Sequence, residues 1–252
     1  MFKNLLRYVF SVYAIIAFLP TLIIVYIIYV LVINLSSKKN MVRNTHRVSS
    51  TWARVFYALI FIRVKIANRN AFDKNRVYVF VSNHRSLLDV PVWARACKIP
   101  VRFLSKEEMT KMPVFGYVLK RVYLTVNRAD RNDRLKSIAK MKATLDEGTS
   151  VFLAPEGTRN KSENILLELK DGAFRLAIMA QVPIGVLTLY NTDNLLSPLK
   201  LFSMLPGTIY GIWENPIETK GMTENDIPKL KEQVRVIMER NYLMMKNKNL
   251  KI

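Results

Sequence analysis

The chain has 252 residues, half of them hydrophobic, with a mean hydropathy of +0.10 and a formal net charge of +20. This length allows one sizeable domain or two small ones, and the charge favours polyanions such as phospholipid headgroups, nucleic acid or acidic carrier proteins. A single cysteine, Cys97, excludes an internal disulfide, and with only two histidines we expect no metal site of the zinc type.

The N-terminal segment, residues 8–35, contains no charged side chain. As a straight helix it would be about 42 Å long, against about 30 Å for a bilayer hydrocarbon core, so we predict a membrane segment. Pro20 leaves open whether it spans the membrane or forms a re-entrant pair. For a span, the more basic second flank predicts that the rest of the chain lies in the cytoplasm. The flanking basic residues are Lys3 and Arg7 before the segment, and Lys38, Lys39, Arg43 and Arg47 after it.

A second apolar stretch, residues 52–64, has Arg54 and Arg63 among its apolar positions. This pattern suits a helix that lies in the membrane interface or one that packs on a domain core, and both interpretations stay open. The polar residues 68–75 read as a loop. We therefore divide the chain into a membrane anchor with an interfacial helix, residues 1–67, and a folded domain, residues 68–252.

Strand and helix patterns alternate through the rest of the chain. This alternation predicts an α/β fold with a mostly parallel sheet flanked by helices, preceded by an N-terminal membrane-associated helical segment. Strands are predicted at residues 77–82, 101–104, 122–126, 150–154, 184–190 and 208–213. Helices are predicted at residues 86–97, 133–147, 172–180 and 227–243.

Polar residues follow the first predicted strand, where Asn83 and His84 occupy a turn. With His84 in that turn and Asp89 in the first helical turn, the two side chains can meet, and Asp89 would leave one ring nitrogen free as a base. On one unbroken helix they would diverge, because five residues rotate through about 140°. Ser86 and Asp89 also fit a helix capping box, His84 alone fits a solvated histidine, and Asn83 fits an Asx turn.

A second polar group follows the strand at residues 150–154. Gly157 allows the backbone to approach a ligand closely, while Arg159 and Thr158 offer a guanidinium fork and a hydroxyl to phosphate. Arg128 follows the strand at residues 122–126 and could share this site. Each arginine alone is more often a surface residue, but three strand ends that carry polar groups form a stronger pattern.

Four blocks of residues, in this order, resemble the glycerolipid acyltransferase family, whose type members are the 1-acylglycerol-3-phosphate acyltransferases. The resemblance covers residues 76–220. In the second block the family has an aromatic-Ile-Asp-Arg string, and this chain, with Leu124-Thr-Val-Asn-Arg128, retains only the arginine. The blocks are His84 with Asp89, the segment ending at Arg128, Pro155-Glu-Gly-Thr-Arg159, and Val182-Pro-Ile184.

The resemblance implies transfer of a fatty acyl group from acyl-CoA or acyl carrier protein to the free hydroxyl of 1-acylglycerol-3-phosphate, which makes phosphatidic acid. It implies His84 as the general base and Asp89 as the residue that orients it. Glu156 would orient an arginine or the glycerol, and the Gly157 amide and Lys106 are candidates to stabilise the oxyanion. The implied substrate-binding set is Arg128, Glu156, Gly157, Thr158, Arg159 and Lys106.

No cofactor is implied beyond the acyl donor, and the chain has no Gly-x-Ser-x-Gly motif for an acyl-serine intermediate. The expected partners are a phospholipid membrane, lysophosphatidic acid and the acyl donor, without nucleic acid. The domain of residues 68–252 would face the cytoplasm. Three alternatives stay open: an acyltransferase for another lysolipid such as a lyso-aminoacyl lipid, a thioester hydrolase, and a non-catalytic protein that binds anionic membranes.

Overall fold

One seven-stranded sheet forms the centre of the computed structural model, which describes residues 2–112, 115–127, 129–200 and 202–247. The strands are β1 (Ile62–Ala67), β2 (Val79–Ser82), β3 (Val101–Lys106), β4 (Leu124–Val126), β5 (Ser150–Leu153), β6 (Ile184–Tyr190) and β7 (Gly207–Trp213). The helices are α1 (Phe2–Leu35), α2 (Lys38–Leu59), α3 (Asp89–Ala96), α4 (Phe115–Val122), α5 (Arg131–Asp146), α6 (Gly172–Ala180), α7 (Thr192–Leu195) and α8 (Ile227–Lys246). Short 3₁₀ turns lie at Glu107–Lys111 and Glu224–Asp226.

The strand order is β1-β7-β6-β2-β5-β3-β4. The strands from β6 to β4 in that order are all parallel, whereas β7 runs antiparallel to β6 and carries β1 parallel to itself. The predicted α/β fold with a mostly parallel sheet is confirmed. These parallel strands all terminate at one end of the sheet. We call that end the carboxyl edge and the opposite end, where the strands begin, the amino edge.

Both faces of the sheet are covered, since side chains alternate between them along each strand. On β2, Phe80 joins a cluster with α2 and α3, while Val79 and Val81 join a second cluster with α5, α6 and α8. All four residues of β2 are buried. The strand that leads to His84 is therefore fixed from both sides.

Helix α1 packs along α2 and along the body of the protein. The Tyr13 hydroxyl donates to the Leu59 carbonyl at 2.7 Å, and the Ser11 hydroxyl accepts from the Met204 amide at 2.9 Å. The helix continues through Pro20, where the Thr21 hydroxyl donates to nearby carbonyls, so no re-entrant break occurs there. Residues 4–35 are long and apolar enough to cross a membrane by length and composition.

The second apolar stretch, predicted as one helix through residue 64, is a helix followed by a strand. Helix α2 ends at Leu59, Phe61 turns the chain with a φ of 50°, and β1 then pairs with β7. The buried face of α2, including Phe56 and Tyr57, packs on the core. The division between residues 67 and 68 stays a prediction, and β1, which lies before it, belongs to the sheet.

Candidate functional site

The carboxyl edge of the sheet brings several predicted site residues to one side of the molecule. His84 follows β2, Glu156 follows the neighbouring strand β5, and Lys106 ends β3. Lys106 is thus two strands away from β2, or about 10 Å. Arg128 lies outside the described residues.

The predicted contact between His84 and Asp89 is confirmed. Their Nδ1 and Oδ2 atoms are 2.8 Å apart, and the two side chains are 16% and 1% exposed. Since the carboxylate accepts, we assign the proton to Nδ1, which leaves Nε2 as the unprotonated nitrogen. His84 lies in the turn and α3 begins only at Asp89, so the two side chains meet although they are five residues apart in the sequence.

Asp89 also holds the turn itself. Its Oδ2 atom accepts hydrogen bonds from the backbone amides of Arg85 at 2.6 Å and Ser86 at 2.7 Å. The sequence left orientation of the imidazole and a capping box with Ser86 as alternatives for Asp89, and this one oxygen contacts both the ring and the Ser86 amide. The Ser86 hydroxyl accepts from the Leu88 amide at 3.3 Å, as a helix-capping side chain does, and donates to the Leu196 carbonyl at 2.8 Å.

The segment after β5 holds the backbone of His84 on both sides. The His84 amide donates to Oε1 of Glu156 at 2.8 Å, and the His84 carbonyl accepts from the Asn160 amide at 2.7 Å. Oε2 of Glu156 accepts from the Leu167 amide at 2.8 Å. The expectation that Glu156 orients an arginine or the glycerol is not met here, because both oxygens bind backbone amides. Burial raises the pKa of Glu156, although these two hydrogen bonds lower it.

Gly157 forms part of a turn and does not present its amide as expected for an oxyanion donor. That amide donates to the Ala154 carbonyl at 3.1 Å, and Gly157 has a φ of 72°. A Cβ atom there would come no closer than 3.8 Å to Lys170, so the backbone conformation, not space, favours glycine.

Beyond the turn, Thr158 is exposed and Arg159 is half-buried. In the part of the chain that the structure describes, neither Arg159 nor Lys106 forms an ion pair. Both positive charges are therefore available to an anionic ligand.

Two site residues have functions that the sequence did not predict. Asn83 binds both backbone groups of Leu189 through its amide, each at 2.8 Å, so it fastens the turn to β6 and forms no Asx turn. Arg85 is 9% exposed and donates to Asp193 at 2.6 Å. It also donates to the carbonyls of Ser162, Asn164 and Ile165. The only sequence signal for Arg85 was its place beside His84.

An aromatic wall adjoins the imidazole. The ring centroids of His84 and Trp93 are 4.9 Å apart, and Trp93 stacks on Phe152 at 5.1 Å. Trp93 and Phe152 are 7% and 1% exposed, so they pack against the imidazole from the protein interior and hold its position. Among the described residues, no group of His, Cys, Asp and Glu is arranged to hold a metal ion.

Comparisons with known proteins show the family of the chain. The sequence profile of the Acyltransferase family matches residues 63–188, half of the chain. An uncharacterised acyltransferase of Schizosaccharomyces pombe is 30% identical over 74% of this chain and 69% of its own length. The 1-acyl-sn-glycerol-3-phosphate acyltransferase alpha of Mus musculus is 29% identical over 69% of this chain, which spans 61% of the mouse protein.

The fold also matches a solved structure. The 1-acyl-sn-glycerophosphate acyltransferase PlsC of Thermotoga maritima superposes with a TM-score of 0.82 at 19% identity. The match covers 97% of this chain and 98% of the Thermotoga chain. At this identity, the likeness establishes a shared fold that includes the N-terminal helices.

Proposed function

The chain belongs to the Acyltransferase family, and from that premise we propose that it transfers a fatty acyl group from a thioester donor to the free hydroxyl of 1-acylglycerol-3-phosphate. The product would be phosphatidic acid. The observation that carries this proposal is the His84 ring, held through Nδ1 by buried Asp89, with Nε2 left as a base. The name of the mouse relative, a 1-acyl-sn-glycerol-3-phosphate acyltransferase, supports this acceptor.

In the proposed reaction, Nε2 of His84 removes the hydroxyl proton as the alcohol oxygen attacks the thioester carbonyl carbon. Asp89 stabilises the imidazolium that forms. The tetrahedral oxyanion then collapses, the carbon–sulfur bond breaks, and the imidazolium returns its proton to the leaving thiolate. No group on the enzyme is acylated, so transfer is direct.

Substrate binding is assigned to the basic residues at the carboxyl edge. Arg159, with the hydroxyl of Thr158, would bind the acceptor phosphate, and the family resemblance adds Arg128. Lys106 would stabilise either the oxyanion or the anionic donor. Both acyl-CoA and acyl carrier protein are acidic and suit the net charge of +20.

We further propose that α1 attaches the protein to a phospholipid membrane with the carboxyl edge on the cytoplasmic side. The exposed face of α1 is apolar over most of its length, with Ile16, Ile23 and Ile27 each more than half exposed. A thioester donor made in the cytoplasm requires this orientation. A lysolipid acceptor in the adjoining leaflet could then reach His84.

The test is an acyl-transfer assay with the full chain in phospholipid vesicles, with labelled acyl-CoA or acyl carrier protein and a panel of acceptors. We expect phosphatidic acid from lysophosphatidic acid, and little product from monoacylglycerol, which lacks the phosphate. His84→Ala should abolish turnover, whereas His46→Gln, at the only other histidine, should not. Free fatty acid without acceptor would indicate a hydrolase, and preference for an acceptor without phosphate would overturn the proposed substrate.

A further inference from the structure

A cavity with a basic rim lies at the amino edge of the sheet, away from His84. Its volume is about 280 Å³, and it lies between the segment that precedes β2 and the connection from α3 to β3. Both strands run from the cavity toward the carboxyl edge. Phe80 lines the cavity, and four residues of extended chain place His84 about 13 Å farther along. The proposed acyl transfer uses none of the cavity's lining residues.

Positive charge accumulates around this cavity without compensation. Arg69, Lys74 and Lys98 line it, and none of its described lining residues is acidic. Arg54 and Arg95 lie nearby: burial and the charges of Arg69 and Arg54 lower the pKa of Arg95. Over the described ranges none of these five cations forms an ion pair. Their mutual repulsion would be relieved by a bound anion.

Hydrogen-bond donors at the rim are also incompletely used. Nη2 of Arg69 donates a hydrogen bond to the Arg95 carbonyl at 2.7 Å, and Lys98 donates one to the Asn70 side chain. The buried Nε–H of Arg69 has no hydrogen-bond partner among the described residues. A buried donor without an acceptor destabilises the protein, and the oxygens of an anionic group would provide acceptors.

The floor of the cavity is aromatic. The ring of Phe72 packs edge-on against Trp213 at 4.8 Å and against Phe80 at 5.1 Å, and all three side chains line the cavity. Apolar surface beside a cationic rim suits a ligand with an anionic head and an apolar body. The volume is just below the usual range of about 300–1,000 Å³ for small-molecule pockets, so the body must be compact.

We propose that this cavity binds a small organic dianion, a phosphate monoester carried on a compact apolar group, at a site separate from that of acyl transfer. Several uncompensated cations favour a dianion over a carboxylate of the same size. The phosphate would contact Arg69, Lys74 and Lys98, and the apolar group would lie against the ring of Phe72, which packs on Trp213.

The probe for this site is phenyl phosphate, titrated into the full chain in detergent and followed by calorimetry and tryptophan fluorescence. We expect saturable binding that weakens with added salt. Three related compounds should each bind more weakly. Inorganic phosphate lacks the apolar group, phenylacetate carries only one negative charge, and benzamide carries none. Trp213→Phe should remove the fluorescence change and retain the heat of binding, since Trp52 and Trp93 lie elsewhere.

Variants separate this cavity from the acceptor site. Lys74→Gln with Lys98→Gln should weaken phenyl phosphate binding by about tenfold, because two nearby charges are removed. Lys220→Gln, a control at another exposed lysine without an ion pair among the described residues, and Arg159→Ala should leave that affinity unchanged. The double variant should keep normal acyl transfer. Absence of saturable binding, equal affinity in the double variant, or loss of binding in Arg159→Ala would each overturn the site without affecting the proposed function.

Discussion

A single carboxylate oxygen, Oδ2 of Asp89, accepts hydrogen bonds from the His84 ring and from two backbone amides. The other oxygen, Oδ1, is buried and has no hydrogen-bond partner among the described residues. An asparagine can therefore place its own oxygen at the Oδ2 position and its NH₂ group at the vacant one. Asp89→Asn thus removes the charge and preserves the hydrogen bonds of the turn.

We expect Asp89→Asn to lower kcat by about 10²–10⁴-fold, because a neutral amide stabilises the imidazolium poorly. Asp89→Ala should lose as much activity and should also unfold at a lower temperature, since the turn loses its acceptor. Initial rates at saturating donor and thermal unfolding of both variants check this. If Asp89 served only the turn, Asp89→Asn would keep nearly full activity.

Arg85 is a second residue that fixes the site, because its guanidinium joins the His84 turn to the loop of residues 160–165 and to Asp193. Arg85→Met should leave Asp193 unpaired, which costs about 1–3 kcal/mol for a hydrogen-bonded pair that is partly buried. Asp193→Asn in the same chain should recover part of that loss. Unfolding of the two single variants and the double variant gives the coupling energy, and simple additivity would contradict the assignment.

The kinetic effect of Arg85 should follow from position, not from contact with substrate. Since the loop it holds adjoins Arg159, Arg85→Lys should raise KM for the acceptor more than it lowers kcat. Rates measured against acceptor concentration would show the split. A fall in kcat at saturating acceptor, with the KM for the acceptor unchanged, would contradict a positioning role.

His46 provides a pH dependence of stability. Its Nε2 lies 3.1 Å from the Cys97 carbonyl and so carries the proton, while the buried Nδ1 has no partner among the described residues. Burial lowers the pKa of His46 below its ordinary value of 6.5. Above pH 6.5 both the folded and unfolded states are neutral. As pH falls below that value, the unfolded state takes up the proton first, so folding stability declines.

We therefore expect the free energy of unfolding to fall by up to about 1.4 kcal/mol per pH unit between the ordinary pKa and the lowered one. His46→Gln retains an N–H for the carbonyl and should flatten this dependence. Chemical unfolding at several pH values, with His84→Gln as the matched control, measures it. An unchanged slope in His46→Gln would show that another group is responsible.

The sequence predicted His84 and Asp89 as partners because strand ends and helix starts follow residue patterns. It did not predict what Glu156, Asn83 and Arg85 do, because their partners are mostly backbone amides and carbonyls. Every residue carries these groups, so such bonds leave no pattern of residue types. Only the folded arrangement of loops far apart in sequence reveals them.

At the scale of elements, one glycine lets an aromatic cluster lie on the sheet. A Cβ atom on Gly185 of β6 would lie 2.5 Å from Phe80 and 2.8 Å from Phe72. Neither ring can move freely, because Phe72 also packs against Tyr78 and Trp213. Gly185→Ala should thus destabilise the protein by about 1–3 kcal/mol through overpacking.

Gly172→Ala is the matched control for that change. Gly172 begins α6, and a Cβ atom there would meet nothing within 4 Å. We expect this variant to be more stable than the parent by about 0.4–1 kcal/mol, because alanine loses less entropy on folding. Denaturant unfolding of both variants checks the opposite signs, and equal effects would refute the packing argument.

The boundary between α2 and β1 shows why some elements were missed. The turn at Phe61 uses a left-handed conformation without Gly, Pro or Asn to mark it. The apolar positions Ile62, Val64 and Ile66 alternate as in a strand, but they continue the apolar face of the preceding helix. The partner strand β7 lies more than 140 residues later. Local patterns therefore could not separate the two elements.

At the scale of the whole molecule, α1 divides into a face that packs on the body and an apolar face that is exposed. Replacing Ile16, Ile23 and Ile27 by lysine should weaken attachment to neutral phospholipid vesicles, because the apolar face would lose its contact with lipid. Leu243→Lys, at an exposed position on α8, is the control and should bind as the parent does. Vesicle flotation measures the bound fraction, and equal flotation of the triple variant would contradict attachment through α1.

The pairing of β1 with β7 has a practical consequence for anyone who wants a soluble fragment. Shortening the chain to start at residue 68 discards β1 along with the apolar helix, and the outer hydrogen-bonding groups of β7 become an open template for aggregation. Starting at residue 61 keeps β1 but removes the α2 side chains from the hydrophobic cluster that contains Phe80 and Trp93. Detergent, or substitution of exposed apolar residues on α1, keeps the full chain, and so keeps the contacts that α1 and α2 make with the rest of the protein.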